Sequence, residues 1–257
     1  AFREWFGDSK VVDENGEPLV VYHGTGARFD EFNSNSLGGF TKAESATEGF
    51  FFTDNKGLAD QFRENAQRSQ TDLTEIRRAI EALPNDQMES LAEDAGLIED
   101  FYTDGREFVT DQIIERMEDD KTAYFDDRSN VDQHVKRYIN PALLDIGEVK
   151  SVYLAIKNPR EVVTDQSADF DEGLITREAR AAKAAGNDGL VIRGMLDTAA
   201  MDDKGNNQIA SDVYVAFRPE QIKSATGNNG DFDGSNPSIL FRRSGESEAD
   251  LSVVAKA

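Results

Sequence analysis

Apolar residues change their spacing twice along this chain, and the changes divide it into a strand-rich part, a helical part and a second strand-rich part. Phe2, Trp5 and Phe6 stand at helical spacing and predict a short helix with an apolar edge that packs on the sheet after it. The segment Ser9 to His23, SKVVDENGEPLVVYH, holds two β-prone runs around Asn15-Gly16, a pair that readily takes the positive φ of a tight turn. It predicts a hairpin whose second strand, Pro18 to Tyr22, ends at His23. A loop rich in Gly and Ser follows, from Gly24 through Gly39. The triplet Phe50-Phe51-Phe52 then closes into Thr53-Asp54-Asn55, which reads as a buried strand running into a helix start, with Leu58, Ala59 and Phe62 on one helix face.

From Thr71 to about Asn140 the period becomes helical: Leu73, Ile76, Ile80 and Leu83 recur at three and four residues, Asp72 and Glu75 offer a capping box, and Pro84 stops the run. Further amphipathic pieces follow over Met88 to Leu97, Phe108 to Met117 and Val131 to Ile139. Strand character returns in Val149 to Ile156, ended by Asn158-Pro159, then in Gly189 to Ile192 and Val213 to Phe217. An alanine-rich helix, Thr176 to Ala185, ends at Gly186. Gly227 to Asn236 predicts turns, and the residues from about Arg242 carry no packing pattern and read as a tail or linker. No internal repeat is present. The expectation is an α+β domain over residues 1–241, with 71–140 a helical insertion and 242–257 a tail.

Composition narrows the chemistry. A chain of 257 residues can bury a core without a disulfide or metal. Cysteine is absent and the only histidines are His23 and His134, so thiolate nucleophiles and zinc sites built on Cys or several His are excluded. Carboxylates, hydroxyls, amides and an imidazole must do the work. No run approaches the length of a membrane span and the N-terminus lacks a secretion-signal layout, so a cytoplasmic setting without a membrane partner is expected. The net charge of −22 repels phosphate backbones and argues first for a solvated acidic surface, with a nucleic-acid-mimicking acidic face as the sharper alternative.

His23, at an apolar strand end before Gly24 and Thr25, would project beside backbone free of side-chain bulk, a place that suits a small planar ligand; a histidine bonded only to its own loop has the same position. Phe51 and Phe62, on a strand and the next helix, fit core packing as well as a ligand platform. Asp212 with Ser211 before an apolar strand fits a surface turn as well as an acid.

Order and spacing tie these residues together, because the string resembles the ADP-ribosyltransferase superfamily, in the histidine-tyrosine-glutamate branch of diphtheria-like toxins and poly(ADP-ribose) polymerases. Tyr22-His23-Gly24-Thr25 is similar to its first motif and Gly49-Phe50-Phe51-Phe52-Thr53-Asp54 to its second, and Phe62 falls eight residues beyond Asp54, where that branch places a second nicotinamide-stacking aromatic. A closer resemblance is to the transferase domains of phage and mobile-element polyvalent proteins. It rests on Trp5 to Thr25, Val152 to Pro159 (VYLAIKNP), Asp188 to Gly194 (DGLVIRG) and Val213 to Asp233, in that order.

The resemblance implies a split β-sandwich with NAD+ as co-substrate pinched between two small sheets, and no metal. It implies that His23 bonds the adenine-side ribose, Gly24 offers its backbone to the nicotinamide carboxamide, Thr25 adds a hydroxyl contact, and Phe51 and Phe62 stack on the nicotinamide, with Phe52 beside them. Phe51 stands where the branch often has tyrosine, which keeps the ring and loses a phenol. The branch glutamate opens the third-motif strand, where the nearest acid here is Asp212, one methylene shorter; Glu220 and Gln221 follow the strand as alternatives. The implied activity is mono-ADP-ribosyl transfer to a macromolecular acceptor, protein before nucleic acid, by a toxin-like effector acting on host targets. NAD+ hydrolysis at the same site and a non-catalytic acidic interaction module are the rivals.

Because no apolar periodicity ties the last residues to a core, deleting the chain after Arg243 is expected to leave the thermal unfolding midpoint and NAD+ binding unchanged; a large fall in the midpoint on truncation would overturn the tail.

Overall fold

The computed structural model describes residues 1–39, 43–121, 129–164, 172–197, 209–228 and 232–240. The proposed tail, residues 242–257, lies outside the described residues. Seven strands form one mixed sheet: β1 (Val21–Thr25), β2 (Phe50–Thr53), β3 (Glu148–Leu154), β4 (Pro159–Val163), β5 (Gly189–Asp197), β6 (Ile209–Ala216) and β7 (Ile222–Ser224), in the spatial order β4-β5-β6-β2-β1-β3-β7. The chain is α+β, and its sheet is nearly cut in two. β1 pairs with β3 over five residues, β2 pairs with β6 over four, but β1 and β2 meet through the single pair Tyr22↔Thr53. The two small sheets of the expectation are therefore two halves of one sheet, β4-β5-β6-β2 and β3-β7 with β1.

Strand alternation sends successive side chains to opposite faces. On one face Val21, Phe50, Phe52, Val152, Leu154, Val191 and Tyr214 form a core closed by loop residues Val11, Phe32 and Ile239, with no helix in the cluster. On the other face α8 (Glu172–Ala184) sets Ile175 and Ala179 against Leu190, Ile192, Val213 and Val215. α2 (Lys56–Gln70), capped by the Asn55 side chain accepting from Leu58 N–H, crosses β1 on that same face. Its approach is possible because Gly24 and Gly26 have no side chain: a Cβ on Gly24 would sit 1.8 Å from the Ala59 carbonyl oxygen, and one on Gly26 would sit 2.5 Å from Ala66 backbone. α1 (Phe2–Phe6) packs Trp5 and Phe6 on Ala155, as the sequence predicts.

The helical part holds its own core. α3 (Leu73–Glu81), α4 (Asn85–Asp94), α5 (Ile98–Thr103), α6 (Gly105–Asp120) and α7 (Val131–Val135) converge on Ile76, Ile80, Met88, Leu91, Ile113, Val131 and Val135, all almost fully buried. Asp72 caps α3 by accepting from Thr74 and Glu75 N–H.

Three local expectations change. The turn before β1 has Gly16 alone at positive φ, with Asp13 accepting from Asn15 and Glu17 N–H. This turn closes only an isolated bridge, Val12↔Pro18, and the strand proper runs Val21 to Thr25, so His23 lies inside a strand and not at its end. Pro159 does not end strand structure but opens β4, parallel to β5 at the sheet edge, where a residue without an N–H is tolerated. The third-motif strand starts early: β6 begins at Ile209, so Asp212 lies inside a strand and not before one. Past β7 the described residues from 227 to 236 are turns and irregular chain, as expected. Ile239 is buried in the core, and Lys223, fully buried, donates to the carbonyls of Asn236 and Ser238.

Gly24→Ala is expected to cost about 3 kcal/mol in urea unfolding, because an overpacked contact here meets helix backbone that cannot rotate away. A midpoint equal to that of the parent would show that α2 can step back freely.

Candidate functional site

Where β1 and β2 part, a side chain replaces the missing ladder. His23 Nδ1 lies 2.8 Å from the Phe51 carbonyl oxygen. A carbonyl only accepts, so Nδ1 carries the proton and Nε2 is left as an acceptor, with no partner among the described residues. The ring is held edge-on by Phe32, 5.1 Å between centroids, and lies 5.6 Å from Phe52. Burial pushes the imidazole pKa below its ordinary 6.5; the bond to the Phe51 carbonyl works against that, and the charge of Lys150, its partner on β3, adds to it. His23 is therefore the neutral form at neutral pH, ready to accept a hydrogen bond from a hydroxyl.

Gly24 and Phe51 face the other way, toward the helices. Phe51 packs at the edge of the cluster under α8, on β2, which runs between the strands that α8 and α2 cover. On α2, Ala59, Arg63 and Ala66 lie against Gly24 and Gly26, and Gln67 reaches the Gly147 N–H beside β3, so helical phase turns Phe62 to the opposite flank, toward β2. Phe51 and Phe62 are both half-buried, and neither has an aromatic partner among the described residues. Phe51 on β2 and Phe62 on α2 thus belong to the face of the sheet that α2 and α8 cover. The neighbouring Gln61, whose Oε1 is buried and unpartnered, points elsewhere around the helix. A small cavity lined by Gln67, Arg68, Thr71, Met117 and Asp132 and a groove on α3 and α6 lie in the helical part, apart from these residues.

The remaining sequence candidates are placed differently. Phe52 is 2 % exposed and belongs to the loop-covered core, where it backs His23 on the face opposite Phe51. The Thr25 hydroxyl is turned onto Ala27, donating to its carbonyl and accepting from its N–H. Gln221 is a buried brace: its side chain accepts from Arg218 N–H and donates to the carbonyls of Ala155 and Asp188. Its backbone meets Ala155, whereas His23 pairs with Lys150, so Gln221 and Glu220 stand about 17 Å along the sheet from the histidine at roughly 3.4 Å per residue. The Glu220 carbonyl accepts from the Trp5 indole N–H.

Asp212 sits on β6 next to Val213, the partner of Thr53. Val213 and Val215 face α8, so Asp212, like Tyr214 and His23, faces the loop-covered side. It accepts from Arg193 Nη1 at 2.6 Å and from Gly194 N–H at 2.9 Å, and its own N–H donates to Asp54 at 3.0 Å. Burial pushes the Asp54 carboxyl up; the Asp212 N–H pulls it back, and the Asp212 charge pushes it further up. Burial likewise pushes the Tyr214 phenol up to about 12. Sequence reading singled out Asp212 but not Arg193, Gly194 or Tyr214 as its partners. Their one legible signal is the Arg193-Gly194 pair that breaks the apolar run Leu190-Val191-Ile192.

Folding depresses the proton affinity of His23, so the unfolded chain takes up a proton first as pH falls below 6.5, and stability is lost from there down to the folded-state value. Between about pH 7.5 and about pH 5 the unfolding midpoint of His23→Gln is expected to fall less than that of the parent; equal slopes would detach His23 from the response.

No curated protein and no solved structure matches the chain. A family model described as ADP-ribosyltransferase in polyvalent proteins matches residues 13–76 and 101–232, which spans β1, β2, α2 and β3 through β7 and passes over residues 77–100 around α4. The chain belongs to the family of ADP-ribosyltransferases in polyvalent proteins.

Proposed function

We propose that this domain binds NAD+ along the parting of β1 and β2, breaks the bond between nicotinamide and ribose, and passes ADP-ribose to a macromolecular acceptor, protein before nucleic acid. The observation that carries the reading is the parting of β1 and β2, bridged by the neutral His23 through the Phe51 carbonyl, with the half-buried rings Phe51 and Phe62 on the helix-covered face of the same parting. Within that reading, Phe51 and Phe62 clamp the nicotinamide, each stacking contact contributing about 0.5–1.5 kcal/mol beyond area burial. His23 Nε2 accepts from a ribose hydroxyl.

As the glycosidic bond breaks, nicotinamide leaves with the bonding electron pair as a neutral base, and positive charge grows on the ribose. A carboxylate held nearby lowers that barrier, and Asp212 is the acid of the third motif. The acceptor nucleophile then bonds to the ribose carbon and gives up its proton. A domain of net charge −22 disfavours nucleic acid as the acceptor. We read it further as a toxin-like phage effector acting on a host target in the cytoplasm, a reading that the family's description as a transferase of polyvalent proteins supports. Among the described residues no helix is long and apolar enough to cross a membrane.

A second reading, a non-catalytic module, is favoured by the ion pair that already occupies Asp212 and by its position on the face opposite Phe51. Nicotinamide release from NAD+ separates the two. Asp212→Asn is expected to lower turnover by about 10²-fold with little change in NAD+ affinity, and Phe62→Ala to weaken affinity first. A parent protein that binds NAD+ yet releases no nicotinamide would make the module the correct reading, and label from NAD+ that stays on no macromolecule in host lysate would make it a hydrolase.

A further inference from the structure

The third-motif acid is a side chain one methylene shorter than a glutamate, and the structure surrounds it with a device that fixes both of its oxygens. Between Ile192 and Met195 the register of β5 on β6 slips, and the bulge aims two successive residues at one. Arg193 Nη1 donates to Asp212 Oδ2 at 2.6 Å while Gly194 N–H donates to Oδ1 at 2.9 Å. Gly194 holds φ +68, in the left-handed region that a side chain would strain. Arg193 is itself anchored: Nη1 donates to the Tyr214 hydroxyl at 3.0 Å, and the guanidinium lies 5.6 Å from the centre of the Tyr214 ring. From the far side the Asp212 N–H reaches Asp54 Oδ1, which brings a second carboxylate alongside. Glu161 on β4 adds its charge to the field around Arg193.

Two carboxylates held side by side, one inside β6 and one just past the end of β2, repel, and the positive charge of Arg193 offsets that repulsion. With Arg193 in place the trio of Asp54, Asp212 and Arg193 carries one net negative charge, and each oxygen of Asp212 keeps a lone pair for a ligand hydroxyl. We propose that Arg193 is a positioning residue of the ADP-ribosyl transfer reaction, acting through Asp212. The inference rests on the reading of this domain as an NAD+-cleaving enzyme.

The test is steady-state nicotinamide release by the parent, Arg193→Gln, Arg193→Lys, Asp212→Asn and the double variant Arg193→Gln/Asp212→Asn, each checked by thermal unfolding. Arg193→Gln is expected to lose about 10²-fold in kcat while KM stays within about threefold, because Arg193 steadies the carboxylate as charge develops on the ribose and does not itself hold NAD+. Arg193→Lys recovers part of the loss, since it keeps the charge without the fork. The double variant is no slower than Asp212→Asn alone, as residues acting through one group do not add. An active parent beside an Arg193→Gln protein of unchanged kcat, or losses that multiply in the double variant, overturns the proposal alone. A parent that releases no nicotinamide overturns the enzymatic reading and takes this one with it. Should Arg193→Gln fail to fold, Arg193→Lys decides: reduced kcat at unchanged KM supports the role, and parent-like kcat overturns it.

Discussion

One backbone pair, Tyr22 with Thr53, joins the two halves of the sheet, and everything proposed for the site hangs on how little there is beside it. A full ladder between β1 and β2 would satisfy the strand edges and leave no gap. Instead the strands part, and a buried carbonyl without a partner would cost on the order of 1–3 kcal/mol. The His23 side chain takes the Phe51 carbonyl, which closes the edge, fixes the imidazole tautomer and exposes Nε2 as an acceptor. The strand defect and the group proposed to bind the ribose are thus the same feature.

The parting is kept open from one side and covered from the other. α2 is drawn onto β1 by the absence of side chains at Gly24 and Gly26, and this close approach carries Phe62 to the edge of β2. α8 is tied to the segment before β2 through Glu48. Burial works against that carboxylate's charge, but hydrogen bonds from Lys183 and Arg180 outweigh it and hold its pKa below the usual range. The two helices are therefore positioned by independent means, one steric and one ionic, with Phe51 between them. On the opposite face the loop through Phe29 and Phe32 lies over His23, held by Lys150 donating to the Phe29 carbonyl and by the Phe32 ring.

Charge is spent locally in this acidic chain. Many of its arginines and lysines are paired with acids on neighbouring elements, as in Arg68 with Asp132, Arg160 with Glu178 and Arg193 with Asp212. Exposed members of this set add little stability. The partly buried pair at Asp212 differs because Asp54 and the Tyr214 phenol gather around the same acid and guanidinium on neighbouring strands.

The sequence by itself determined what depends on local period and short-range stereochemistry. Helical spacing placed α1, α2, α3 and α8, the Phe50-Phe51-Phe52 run placed β2, and the motif spacing placed His23, Gly24, Phe51 and Phe62 in one family pattern before any contact was known. Only the tertiary structure decided which face each of them serves. Neighbours in a strand such as Phe51 and Phe52 point to opposite sides, so one packs beneath α8 and the other in the loop-covered core. It also decided that Pro159 opens an edge strand, because the parallel partner β5 lies some 30 residues on, and that Gln221 braces two loops far from His23. The grip of Arg193 and Gly194 on Asp212 was unreadable for the same reason. A β-bulge is a mismatch between two strands, and no single strand contains it.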